Sequence, residues 1–142
     1  MNPYQIVVDT NVLIAGLRSK HGASYKLLNM LKDERWQVNV STTLIFEYEE
    51  ILKRERAALG LSLEDIDDLI DGICAIASKR SIFYLWRPTA SDPDDDFLVD
   101  LAVESQADFI ITFNKKDLRE AEKFGILLLS PKEFLQKVGE IK

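Results

Sequence analysis

The chain has little that could staple it or bind a soft metal. Cys74 is its only cysteine, which excludes an internal disulfide and a thiolate-rich zinc site. It falls inside an apolar helical pattern and reads as core. The single histidine, His21, sits between Lys20 and Gly22 in an expected loop, so no zinc site can be built on imidazoles. No apolar run is long enough to span a bilayer, and Met1 to Tyr4 carry no basic lead into a signal core. The expectation is a cytoplasmic protein with no membrane association. Positive charge is also in deficit, with 18 Lys and Arg against 24 Asp and Glu, a net charge of −6. That balance argues against a broad basic face for nucleic acid, although bound cations could reverse the field in an acidic pocket.

What is present is an ordinary globular composition, 46% hydrophobic and 30% charged, in a chain of 142 residues. One domain over residues 1–142 is expected, large enough to bury a core of its own. There is no internal repeat, low-complexity segment or linker. Gln5 to Val8 is a β-branched apolar run that predicts a first, central strand buried on both faces. Helical spacing follows over Val12–Leu17 and Ser24–Leu31, then a strand at Val38 and Val40. Ser41-Thr42-Thr43 offers hydroxyls to cap a helix from about Leu44 to Ala58. Gly60 ends it, and Ser62 with Asp65 forms a capping box for a second helix whose stripe runs from Leu63 to Ala77. The two should form a hairpin. A third strand is predicted at Ile82–Trp86, an irregular connection at Pro88–Pro93 and a helix from about Asp95 to Ser105. A fourth strand over Ala107–Phe113, a short helix at Lys116–Lys123 ended by Gly125, and a fifth strand at Ile126–Leu129 complete the sheet. The last helix starts at Ser130-Pro131, with Glu133 closing another capping box. Such alternation predicts an α/β fold with a mostly parallel, doubly wound sheet.

Ligands of open α/β sheets bind at the carboxyl ends of the strands, where strand order reverses. Asp9 closes the first strand there, and burying it without a partner would be costly, so a ligand site is favoured over a plain helix cap. Asn11 is placed to cap or orient it. Asp92 to Asp96 follow the third strand, Asn114 and Asp117 follow the fourth, and Glu47 lies in the first turns of the helix after the second. Any one acid of the run Asp92-Pro93-Asp94-Asp95-Asp96 is adequately explained as a solvated cap, but four together cannot all be caps. Like charges this close destabilise the fold unless a cation sits among them, so a metal site explains them, with Asp95 and Asp96 best placed to face the sheet edge. Lys53, Arg54 and Arg56 read as a solvated helix face.

These residues resemble a family. Val8-Asp9-Thr10-Asn11-Val12-Leu13-Ile14 is similar to the opening motif of PIN domains, Glu47-Tyr48-Glu49-Glu50-Ile51-Leu52 to their second, and Asp92-Pro93-Asp94-Asp95-Asp96 with Leu101-Ala102 to their third. The run from Ala107 to Leu118 is similar to the fourth. The motifs occur in the family's order over essentially the whole chain, and they most resemble the VapC-like toxin ribonucleases of bacterial and archaeal toxin–antitoxin pairs. The resemblance implies a three-layer α/β/α sandwich with four or five strands, bound Mg²⁺ or Mn²⁺, and endonucleolytic cleavage of RNA. It implies metal ligands at Asp9, Glu47 and Asp95, with Asp96 as a further member, Asp117 as a further catalytic acid, and Thr112 and Asn114 shaping the site. Many relatives carry aspartate where this chain has Asn114, which predicts a weaker second metal site. Lys20, Lys115 and Lys116 are candidates for gripping phosphates. A small antitoxin protein and a homodimer are the expected partners, the hairpin from Leu44 to Ala77 offering a surface for either.

Two other readings compete. A phosphotransfer domain would also place an aspartate at a strand end, but it usually needs a second acid two residues on, where this chain has Asn11. A PIN-like scaffold with a decayed site would bind a partner without catalysis, and Asn114 favours it; within the nuclease reading, RNA processing outside any toxin–antitoxin pair stands open beside the toxin role.

Overall fold

A computed structural model describes residues 2–82 and 96–142. The first strand, β1 (Tyr4–Val8), leads into α1 (Thr10–Arg18) and α2 (Ala23–Asn29), then β2 (Trp36–Val40). Next come α3 (Thr42–Arg54), α4 (Arg56–Leu59), α5 (Leu63–Ile76) and the short β3 (Ser78–Lys79). After the undescribed stretch, α6 (Asp96–Glu104) leads to β4 (Phe109–Ile111), a 3₁₀ segment (Lys115–Phe124), β5 (Leu127–Leu129) and α7 (Pro131–Lys137). The strands form one parallel sheet in the order β3-β2-β1-β4-β5. β1 is therefore central, as its apolar run predicts. Successive residues of a strand face opposite sides of the sheet, yet Ile6, Val7 and Val8 are all buried, as are Phe109, Ile110 and Ile111. Helices must cover both faces, which makes the expected three-layer sandwich. Among the described residues no helix is long and apolar enough to cross a membrane.

The caps are where the side chains put them. Ser41 Oγ accepts from the Leu44 amide at 3.2 Å, and both capping boxes form, Ser62 with Asp65 and Ser130 with Glu133. Gly60, at φ 69°, takes the left-handed conformation that ends α4 without side-chain strain. Three expectations need correction. The helix expected over Leu44–Ala58 is interrupted at Glu55, giving α3 and α4. The third strand of the described sheet is Ser78–Lys79, earlier than the expected Ile82–Trp86: Ile82 is outside any strand, and the rest of that segment is outside the described residues. The short helix expected after β4 is 3₁₀, which suits its buried pair Leu118 and Ala121, three residues apart and stacked on a three-residue turn.

At the sheet end away from the first residues of α1, aromatic rings seal the core. Phe134 of α7 meets Trp36 edge-on at 5.1 Å between centroids and Phe109 at 5.8 Å. Glu133, at the start of α7, accepts from Lys115 and from the Ser130 amide, and these hold its carboxyl down at about 2. A depressed carboxyl contributes stability above its unfolded pKa of roughly 4.3 and loses it as pH falls toward the folded value. Glu133→Gln should thus lower the unfolding free energy read from urea titration at pH 7, by no more than about 1 kcal/mol for so exposed a pair. The gap to wild type should close between pH 5 and pH 3. On the other side of the domain α1 crosses α2 closely at Gly16, where a Cβ would stand 2.5 Å from Leu28 Cδ1 and 3.0 Å from the Ser24 carbonyl oxygen. Alanine usually favours a helix over glycine by about 1 kcal/mol. Overpacking costs about 1–3 kcal/mol, so Gly16→Ala should lower stability, read as a reduced denaturant midpoint with unchanged slope.

Candidate functional site

Asp9 follows β1 at the switch point, since the chain crosses from β1 to β2 on one side and β4 lies on the other. Its backbone stays in the sheet's company: the Asp9 amide donates to the Ile111 carbonyl at 2.9 Å. The carboxylate is 7% exposed and accepts from the fully buried Thr112 hydroxyl, Oγ1 to Oδ2, at 2.7 Å. The Thr112 oxygen in turn accepts from the Asn114 amide at 2.8 Å, so its donor and acceptor are both engaged. Asp9 occupies the N-cap position of α1 but its side chain makes no capping bond. The ends of β1 and β4 are thus joined through the Asp9 carboxylate.

Glu47 reaches the same place from α3. The Thr10 hydroxyl donates to its carboxylate, a contact that ties the first turn of α1 to the second turn of α3. Tyr48, next in sequence, turns inward, is 2% exposed, and donates its hydroxyl to the Val8 carbonyl. Burial pushes the Asp9 carboxyl up from its ordinary value, against the Thr112 hydroxyl and the nearby Thr10 and Asn11 amides, which pull it down. Burial also raises the Tyr48 phenol, with the negative charges of Asp9 and then Glu47 adding to it. Tyr48 keeps its proton and acts as a fixed donor beneath the two acids.

Asp9 and Glu47 open on one cavity of about 520 Å³, whose wall also includes Asn11, Asn114 and Arg18. Arg18 pairs with Glu55 at 3.3 Å in an exposed bridge at its edge. The described acids, the threonines behind them and the cation beside them form a pocket suited to a phosphate ester and a hard cation.

A PIN domain family model matches residues 5–116. The chain belongs to the PIN domain family. PIN domains are nucleases. Among solved structures, a chain of VapBC2 from Rickettsia felis, bound to a DNA fragment from their promoter, is similar in fold. Its TM-score is 0.62 at 13% identity, and the match covers 89% of this chain and 98% of that one. No curated protein matches this chain.

Within this PIN domain the predicted site residues divide. Asp9, Glu47, Asn11 and Asn114 line the cavity, with Thr112 directly behind Asp9. The Asn11 side chain turns elsewhere, its Oδ1 facing the Phe113 amide at a long 3.5 Å, while its backbone amide lies near the Asp9 carboxylate and Thr112 supplies the side-chain bond. Asp96 opens α6, buried, and Asp117 lies in the first turn of the 3₁₀ segment; neither lines the cavity. Asp95, with Asp92 and Asp94, lies outside the described residues. Lys115 pairs with Glu133 rather than with the cavity. Two residues escaped the sequence reading. Arg18 sits two turns after Asp9 on α1, and Asp100, buried at 1% exposure, interrupts the apolar run of α6 one turn after Asp96. A charge inside Phe97-Leu98-Val99-Asp100-Leu101-Ala102 was the available signal for the second.

Among the described residues no three acid, histidine or cysteine side chains gather as ligands for one ion. The oxygen donors on the cavity wall, Asp9, Glu47 and Asn114, are hard, and Asp9 is desolvated, so they suit a hard divalent cation and not a soft metal. A carboxyl raised by burial contributes most stability below its unfolded pKa and loses it as pH rises through the folded one. Asp9→Asn should accordingly raise Tm in EDTA at pH 7, by a few degrees on the scale of about 1 kcal/mol. Adding Mn²⁺ should raise Tm in wild type and leave Asp9→Asn unmoved; an equal shift in both proteins rejects Asp9 as a ligand.

Proposed function

We propose that this PIN domain, a single domain over residues 1–142, is a divalent-cation-dependent endoribonuclease and the toxin of a toxin–antitoxin pair, acting in the cytoplasm. The observation that carries the reading is the desolvated Asp9 facing, with Glu47, an open cavity of about 520 Å³ at the switch point of a nuclease fold. Asp9 and Glu47, with Asp95 as the sequence resemblance implies, would hold Mg²⁺ or Mn²⁺, and Asn114 would offer a neutral oxygen. Such an ion, when bound, supplies a Lewis acid to the scissile phosphodiester and lowers the pKa of a water.

The chain's own residues do the rest. Thr112 fixes one oxygen of Asp9, leaving the carboxylate's remaining lone pairs to the cavity, and Thr10 does the same for Glu47. Tyr48 holds the Val8 carbonyl and so the end of β1, keeping its proton throughout. Arg18 is tied to Glu55 only by an exposed pair of small worth, so an entering phosphate can take the guanidinium over. Ile14 and Ile51 give the cavity an apolar wall that limits water around the reacting phosphate.

The toxin role is supported by the sequence resemblance and by the fold shared with a chain of the Rickettsia felis VapBC2 complex. A small antitoxin would mask the acidic cavity, offering it an arginine or a helix, and the protein would form a homodimer. One observation favours a second reading, a PIN scaffold with a weakened metal site: the described acids do not close a trio around one point, and Asn114 stands where an acid is expected. Calorimetric titration with Mn²⁺ separates the two, since a decayed site shows no saturable binding.

Activity gives the main test. Wild-type protein should cleave single-stranded RNA in Mg²⁺ or Mn²⁺ and stop in EDTA. Asp9→Asn and Glu47→Gln should each lower kcat by about 100-fold or more, the scale of losing a group that stabilises charge in the transition state. Asp96→Asn and Asp117→Asn, off the cavity wall, should lower it less than about tenfold. A wild-type rate in Asp9→Asn would falsify the mechanism.

A further inference from the structure

A second cavity, of about 210 Å³, lies on the other side of the first turns of α3, lined by Thr42, Phe46, Lys79 and Arg80 among others. Glu47 lines the acidic cavity and its neighbour Phe46 lines this one, so the two concavities share one helix as a ridge. Phe46 is 65% exposed, a large ring left in water beside a candidate active site. Lys79 and Arg80 form no ion pair among the described residues, in a chain of net charge −6. The Arg80 side chain is held in place: its Nε donates at 3.0 Å to Oδ1 of Asn39, which is fully buried. Asn39 is fixed in turn, its amide donating to the Gln5 side chain at 3.0 Å and to backbone carbonyls of Ile6 and Gln37. One guanidinium edge is thus anchored to the sheet while the rest reaches the cavity.

An exposed ring beside two cations is the arrangement that binds single-stranded nucleic acid, the base stacking on the ring and the backbone meeting the charges. Resting on the ribonuclease reading, we infer that Phe46, Lys79 and Arg80 form a subsite for the RNA nucleotide adjoining the scissile phosphate. The base lies on Phe46 and its phosphate on Lys79 and Arg80. A base can lie on Phe46 only when it has left its own stack, so the subsite selects single-stranded over double-stranded RNA. It also supplies locally the positive charge that the whole chain lacks.

The test uses Asp9→Asn protein in EDTA, where cleavage should be suppressed, and a fluorescently labelled single-stranded RNA oligonucleotide followed by anisotropy. Phe46→Ala and Lys79→Glu, added singly to that background, should each weaken binding about tenfold or more. Phe46→Trp should retain affinity, and its indole emission should be quenched as the RNA is added. A duplex of the same sequence should bind more weakly and be indifferent to Phe46→Ala. In cleavage assays on the otherwise wild-type protein, Phe46→Ala should raise KM with kcat changed less than about threefold. Phe46 is on the surface, so circular dichroism should show these variants folded. If Asp9→Asn protein binds RNA and neither substitution weakens it, the subsite is wrong while the nuclease reading stands. If Phe46→Ala instead turns a dimer into a monomer by sedimentation, the face is a contact between copies and the inference falls. If no RNA is bound and wild type cleaves none, the ribonuclease reading fails and takes this inference with it.

Discussion

The carboxylate of Asp9 sits where the sheet reverses its strand order, mostly removed from water, and its charge must be balanced by what surrounds it. Burial works against that charge, and the Thr112 hydroxyl and nearby amides offset only part of the cost. Much of the local architecture follows. Thr112 must lie directly after β4 to reach Asp9, and Asn114 must turn its amide back to Thr112. Tyr48 must fill the space below and bond the Val8 carbonyl, which brings α3 against β1 and places Glu47 beside Asp9. A protein optimised for stability alone would put an apolar residue at Asp9; keeping an acid there makes sense when a cation neutralises it.

The same helix divides the surface into two chemistries. Glu47 faces the acidic cavity, and one residue earlier Phe46 faces the basic one. Adjacent residues on a helix point about 100° apart, so a single dipeptide can serve both. The net charge of −6 therefore describes the whole chain without describing the ground next to its site. Long-range attraction of a polyanion is weak for such a protein, so on the proposed reading RNA would be held at contact distance, through stacking and a few fixed cations.

The core strands were legible because a strand buried on both faces has to be an unbroken apolar run, and Ile6-Val7-Val8 and Phe109-Ile110-Ile111 are that. The capping boxes were legible because their bonds are local, Ser62 to Asp65 and Ser130 to Glu133. Errors came where distant groups decide. Asn11, two residues away, reaches Asp9 through its backbone amide, but the side chain that bonds the carboxylate comes from Thr112, 103 residues from Asp9. Nothing near Glu55 in sequence breaks a helix, yet α3 ends there, where its carboxylate meets Arg18. Arg18 reads as an ordinary surface cation until α1 and α3 are packed together around the cavity.

By itself the sequence determined the family, the order of the elements and the two acids at the switch point, since periodicity, caps and motif spacing are properties of neighbours along the chain. Tertiary structure decided which hydroxyl holds which carboxylate, that Arg18 and Asn114 share a wall with Asp9 while Asp96 and Asp117 do not, and that Phe46 of α3 lines one cavity with Lys79 at the end of β3 and Arg80 just after it. Those are matters of distance through space. A hydrogen bond or a pocket forms within about 3 Å and a few side-chain diameters, and only the packed sheet and helices bring residues a hundred positions apart to that range.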